Sequence, residues 1–332
     1  MVLDGLATSA REHIELLRAV HRCEGDLYNQ GEELIQAIIV YASSWLPALN
    51  NYDDAVGLEL PALDVAWVWH LHKTDPTSYH RDCIRWYGRI LDVPSGASPF
   101  RHSSRLSSPP NLHCNVNCPH LDSDFAERIV SSAKNQSSFL WHVNWPEYED
   151  DSFLEDSVQR YGMMLALMNQ HPGQFIVPTY DIDIIWHTHL AFPCRYIEDC
   201  RRLAGRDVNH DDQVGEDRSP GGFLTTSTAK TELLWNSTFS SPWRKEGGMY
   251  RGEPPSWYWS DRHRASALPR VPQQAPKPDL PAESTLGLFL ARHVIGVVGR
   301  AFGTDGITEV RIAAGAFPQF PPGPTLCVAR RE

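Results

Sequence analysis

The sequence has no excess of positive charge, few cysteines and no long apolar run, and each shortage removes a class of function. Lys and Arg number 30 against 41 Asp and Glu, a formal charge of −11. The deficit lies in residues 1–220, with 17 basic against 32 acidic side chains, while residues 221–332 carry 13 against 9. No broad basic footprint is left for duplex nucleic acid. The most apolar late segment, 286–303, is broken by Arg292, His293 and Arg300, so no membrane span is expected. The opening MVLDGLATSAREHIELL lacks the basic start and continuous apolar stretch of a secretory signal. Seven Cys, an odd number thinly spread over 332 residues, do not read as a disulfide framework. The expectation is an intracellular protein, cytoplasmic, with the nucleus also open to it. Several chemical signatures are missing too: there is no GxxxxGK[ST] loop, no strand-associated GxGxxG and no GxSxG elbow.

Histidine and tryptophan, by contrast, are abundant, with 15 and 11 copies. Part of this excess belongs to a repeat. Residues 61–89, PALDVAWVWHLHKTDPTSYHRDCIRWYGR, align without gaps to residues 178–206, PTYDIDIIWHTHLAFPCRYIEDCRRLAGR, with 12 of 29 positions identical. The shared positions include Trp69/Trp186, His70/His187, His72/His189, Pro76/Pro193, Tyr79/Tyr196 and Asp82/Asp199. Helical apolar stripes precede both copies: Leu34, Ile35, Ile38, Ile39, Ala42 and Trp45 before the first, and Val158, Tyr161, Leu165 and Met168 before the second.

The predicted fold is therefore mainly α, a tandem duplication of a helical unit. Residues 1–105 form the first repeat, 106–120 a Ser/Pro-rich linker and 121–220 the second repeat. An aromatic-rich extension over 221–268 follows, then a Pro-rich linker over 269–283 and a small, partly irregular or β-containing segment over 284–332. Inside each motif Pro76 or Pro193 marks the first turn of a second helix, where proline is tolerated. Asp64 and Asp181 are the expected N-caps of the preceding helices.

Histidines two apart on a helix point roughly 200° away from each other, so WHxH alone is no metal clamp. Two related helices packed face to face could instead bring His72 to His189, or His70 to His187. With His210 and Asp211, or with Asp212 or Asp217, these offer a zinc- or iron-type ligand set. The alternative is structural, with each Trp in the core and each His satisfied by a neighbouring polar group. An enzyme without metal would use His189 as acid or base, oriented by Asp199 or Tyr196. His113, Cys114, Cys118 and His120 are further possible ligands in the linker.

The strings LDVAWVWHLHKTDPTSYHRDC, VPTYDIDIIWHTHLAFPCRYIEDC, HDDQVGEDRS, LLWNSTF and GGMYRG together resemble the N-terminal domain of the glycine-rich domain-containing protein-like family, over about residues 5–255. The resemblance implies a regulatory or interaction role linked to growth, development and stress response, without a settled biochemical activity, and for some members an association with RNA. Its partner is then a protein or a small molecule. The aromatics Trp235, Phe239, Trp243, Tyr250, Trp257 and Tyr258 either close the core or present a binding surface. Single-stranded RNA could be met by Arg262, Arg264 and Arg270 beside Trp257 and Trp259.

Overall fold

The computed structural model describes residues 3–52, 57–107, 121–210 and 219–262. The predicted linkers, most of 106–120 and all of 269–283, and the segment 284–332 with its β-like runs lie outside the described residues, as does Asp211.

Among the described residues the fold is helical, as the periodicity predicts. Helix α1 (Leu6–Arg22) buries Leu6, Ala10, Ile14, Leu17 and Val20 at steps of three and four. Helix α2 (Glu32–Val40) continues through a π-helical turn (Tyr41–Trp45) into α3 (Leu46–Asn50). Then come the first motif helices, α4 (Leu63–Thr74) and α5 (Pro76–Tyr87). Helices α6 (Ser123–Asn135), α7 (Phe139–Val143) and α8 (Asp151–Gln170) lead to the second motif, α9 (Tyr180–Leu190) and α10 (Pro193–Leu203). Helices α11 (Phe223–Thr238) and α12 (Ser256–Ser260) close the described part.

Both prolines start their helices. Pro76 follows Asp75, whose carboxylate accepts the Ser78 amide at 3.0 Å, and Gly88 ends α5 at φ 70°, a left-handed turn that glycine adopts at no steric cost. The expectation for Asp64 and Asp181 is corrected. The N-caps are Ala62 and Thr179, without side-chain caps, and each aspartate sits inside the first turn. There they serve long-range contacts instead: Asp64 accepts from the Ser107 amide at 2.9 Å, and Asp181 pairs with Arg160 at 2.7 Å.

The packing crosses between the two halves of the chain. Helix α1 lies on α8 and α9, and α6 lies on α2 and α4, while α4 and α9 touch at the centre. Helices α4 and α9 are consequently buried nearly all round, which explains why their sequences show little amphipathic contrast. Trp235, Trp243 and Tyr258 of the aromatic extension are buried in the same core. Among the described residues no helix is long and apolar enough to cross a membrane.

Candidate functional site

The two faces of each WHxH helix do different work. On one face the same bonds recur in both motifs. The Tyr41 hydroxyl donates to His72 Nδ1 at 2.9 Å, and Tyr161 donates to His189 Nδ1 at 3.0 Å. The opposite ring nitrogen, Nε2, lies 3.3 Å from Asp82 Oδ2 in the first motif and 3.3 Å from Asp199 Oδ2 in the second. Trp69 and Trp186 donate to the Tyr79 and Tyr196 hydroxyls at 3.3 and 2.9 Å, and these tyrosines donate onward to Leu91 O and Val208 O. Burial lowers the pKa of His72 and of His189, with the aspartates opposing it. Burial pushes Asp82 upward, but hydrogen bonds from His72 and Arg128 outweigh it and hold the carboxyl below the usual range. His189 and Arg202 do the same for Asp199.

These contacts keep His72 and His189 within their own helix pairs, so the structure does not bring the two together. His189, Asp199 and Tyr196 do form the expected neighbourhood, with the Tyr196 ring edge-on to His189 at 5.2 Å. His189 is fully buried, however, and lies on the wall of neither main cavity.

The other face carries His70 and His187 into the centre, where α1, α4 and α9 meet. His70 packs against His13 of α1 with ring centroids 4.5 Å apart. His13 Nδ1 donates to the Thr188 hydroxyl at 3.0 Å, since that hydroxyl already donates to Ile184 O. Lys73 is buried beside them, its ammonium 3.6 Å above the Trp69 ring and 3.2 Å from Ala191 O. Burial brings Lys73 down to about 7. It also lowers His13, His70 and His187 far below the usual imidazole value, so these three imidazoles are neutral.

His187 ends this cluster at a cavity of about 490 Å³. Phe139 of α7 stacks on its ring at 4.4 Å, and His210 meets it edge-on with Nε2 2.9 Å from His187 Nε2. His210 Nδ1 donates to Thr74 O at 2.8 Å, which fixes the tautomer and leaves Nε2 with its lone pair facing His187. Asp183, one helical turn before His187, places Oδ1 3.6 Å from the same nitrogen. The carboxyl keeps 19 % of its side chain exposed at the cavity. Burial, with the charge of Asp181 behind it, pushes Asp183 up to about 7.

Asp183, His187 and His210 are the one group of three ligand-type side chains among the described residues whose donor atoms all lie within 4.8 Å of one another. Of the sequence-derived metal set, this group contains His210, whereas His72 and His189 lie elsewhere. His187 entered as a motif residue and, paired with His70, as the alternative ligand, and Asp183 was missed. The signal was available: Asp183 and His187 are four apart and share a helix face, a ligand spacing as good as two histidines four apart.

The cavity's opposite wall comes from the chain after α11. Arg160 of α8 binds Asp181 at 2.7 Å and donates to Pro242 O and Trp243 O at 3.0 and 2.6 Å. The Tyr180 amide donates to Gly248 O at 2.7 Å, an approach only glycine permits, because a Cβ on Gly248 would meet Asp181 Oδ1 at 2.1 Å. This latch holds Trp243, Met249 and Tyr250 over the site. Within the aromatic extension Trp257 and Trp259 remain partly exposed, at 38 % and 37 %. Arg262 beside them pairs with Asp26 at 3.4 Å, and Arg264 and Arg270 lie outside the described residues.

Comparison with known proteins gives a consistent family. The model of the family described as "Glycine-rich domain-containing protein-like" matches residues 102–199. The chain is similar to "Glycine-rich domain-containing protein 1" of Arabidopsis thaliana, 34 % identical over 277 residues, covering 75 % of this chain and 34 % of that protein. "Glycine-rich domain-containing protein 2" of the same plant is 32 % identical over 283 residues, covering 75 % and 35 %. The chain thus spans about a third of the length of these curated relatives. No solved structure matches. The chain belongs to the glycine-rich domain-containing protein-like family.

Proposed function

We propose that this domain is a metal-dependent module, with a divalent ion held by Asp183, His187 and His210 and with open coordination positions facing the cavity. The observation that carries the reading is the convergence of the three donors on a cavity wall, 2.9 Å between the two imidazole nitrogens and 3.6 Å from His187 Nε2 to the carboxylate. Two nitrogens about 2.1 Å from one ion and at right angles lie about 3.0 Å apart, whereas tetrahedral ligands lie about 3.4 Å apart. An ion would take the place of the proton that His187 Nε2 now shares with His210, at a spacing that fits six-coordination, and two histidines with one carboxylate and free positions suit iron(II) more than structural zinc. The His210–Thr74 bond supplies the second-shell orientation that such ligands need. An ion held by these residues would supply Lewis-acid polarisation of a bound oxygen or activation of a bound water, and the buried imidazoles behind His187 would keep competing solvent out.

Equilibrium dialysis against iron(II), cobalt(II) and zinc(II), followed by elemental analysis, tests the reading. It expects one ion per chain, with loss of that ion in His187→Ala and in His210→Ala. Equal uptake by wild type and both variants, or no uptake by any, overturns it.

A second reading, an interaction module, is favoured by one observation, the partly exposed Trp257–Trp259 pair. Aromatic anchors of this kind dominate many binding surfaces. A Trp257→Ala, Trp259→Ala double variant that retained every cellular association of the wild type would remove that reading.

A further inference from the structure

Resting on the metal reading above, we propose that the cavity takes a planar aromatic molecule bearing adjacent hydroxyls, a catechol-type ligand whose oxygens complete the ion's coordination. Volume, wall chemistry and one unpartnered acceptor support this choice.

The cavity, about 490 Å³, lies within the range that encloses one- or two-ring organic ligands. Its wall beside the donors is aromatic. Tyr180 and Tyr250, both half-buried, have centroids 6.4 Å apart, with His142 stacked on Tyr180 at 4.1 Å, and Phe139, itself stacked on His187, lies 6.2 Å from Tyr180. A wall built of packed rings favours a flat, apolar ring as its occupant.

The wall also carries polar side chains, among them Asp207 and Arg206, whose Nη1 donates to Met168 O at 2.8 Å. Gln136 also lines the cavity; it is 5 % exposed, and its carbonyl oxygen has no hydrogen-bond partner. A buried acceptor left in that state needs a donor, and a ligand hydroxyl supplies one. The open positions of an ion with three protein ligands accept the neighbouring oxygen as phenolate, with its proton released to solvent.

The experiment is a spectrophotometric titration of cobalt(II)-loaded protein with 4-nitrocatechol, run in parallel with acetohydroxamate, an aliphatic chelator offering a similar oxygen pair. Tighter binding of 4-nitrocatechol by tenfold or more is expected. Tyr180→Leu, which keeps apolar bulk and removes the ring, should narrow that ratio severalfold while cobalt stoichiometry stays at the wild-type value. Equal binding of the two probes to wild type overturns the aromatic-ligand inference while leaving the metal reading intact, and this comparison needs no variant to fold. An unchanged ratio in Tyr180→Leu also contradicts it. If cobalt(II) itself fails to bind, the metal reading fails first and the ligand inference falls with it.

Discussion

Arg160 is the point where stability and the cavity meet, and Arg160→Met tests that link. Its guanidinium is 7 % exposed and faces an Asp181 side chain with no exposure at all. It also donates to the Thr179 hydroxyl at 3.2 Å and to the carbonyls of Pro242 and Trp243. Methionine keeps most of the volume but leaves the Asp181 carboxylate buried, with the Lys245 ammonium at 3.8 Å as the remaining paired cation among the described residues. Breaking a buried ion pair on one side costs about 3–5 kcal/mol. In a domain of this size, about 2–4 °C in Tm per kcal/mol gives a fall of about 6–20 °C. The assay is urea denaturation followed by tryptophan fluorescence, which also reports on Trp243. Because Arg160 tethers the 242–250 segment, the variant should also expose Trp243 to an added quencher below its unfolding midpoint. A cost under about 1 kcal/mol with unchanged quenching would refute the latch.

Three further expectations follow from named contacts. Gly248→Ala should destabilise by several kcal/mol because its Cβ would sit 2.1 Å from Asp181 Oδ1, whereas Gly173→Ala, with open space around its Cβ, should be near neutral in the same denaturation series. Lys73 has a folded pKa near 7 against about 10.4 in the unfolded chain, so between these values the unfolded state binds more protons and stability should rise with pH. The slope approaches about 1.4 kcal/mol per pH unit within that window, and Lys73→Met, compared with wild type from pH 7 to 10, should lose it. Trp186→Phe removes the indole donor to the Tyr196 hydroxyl at 2.9 Å and should cost about 1 kcal/mol beyond any lost packing, more than Trp69→Phe, whose bond is 3.3 Å. Chemical denaturation of both variants checks the order.

The helical fold was legible because α1, α2 and α8 carry their apolar residues at helical spacing, and Pro76 and Pro193 mark where α5 and α10 start. The motif contacts were partly legible. Spacing placed His70 and His72 on opposite faces, but not which face meets its counterpart. That depends on α1 crossing onto α8 and α9, and on the segment leading to His210 folding back onto Thr74. His13 could not be recognised beforehand, since a histidine on an amphipathic helix reads as surface or core alike. Asp183 could have been found from its four-residue spacing to His187. The cavity wall could not, because Trp243 and Tyr250 reach it through the long-range Arg160–Asp181 latch.

If Asp183, His187 and His210 form one ion site, anomalous diffraction at the cobalt edge from crystals of cobalt(II)-loaded protein should show a single strong peak within about 2.3 Å of His187 Nε2, His210 Nε2 and an Asp183 oxygen. A map without density at that point, or with its peak beside His72 or His189, would contradict it.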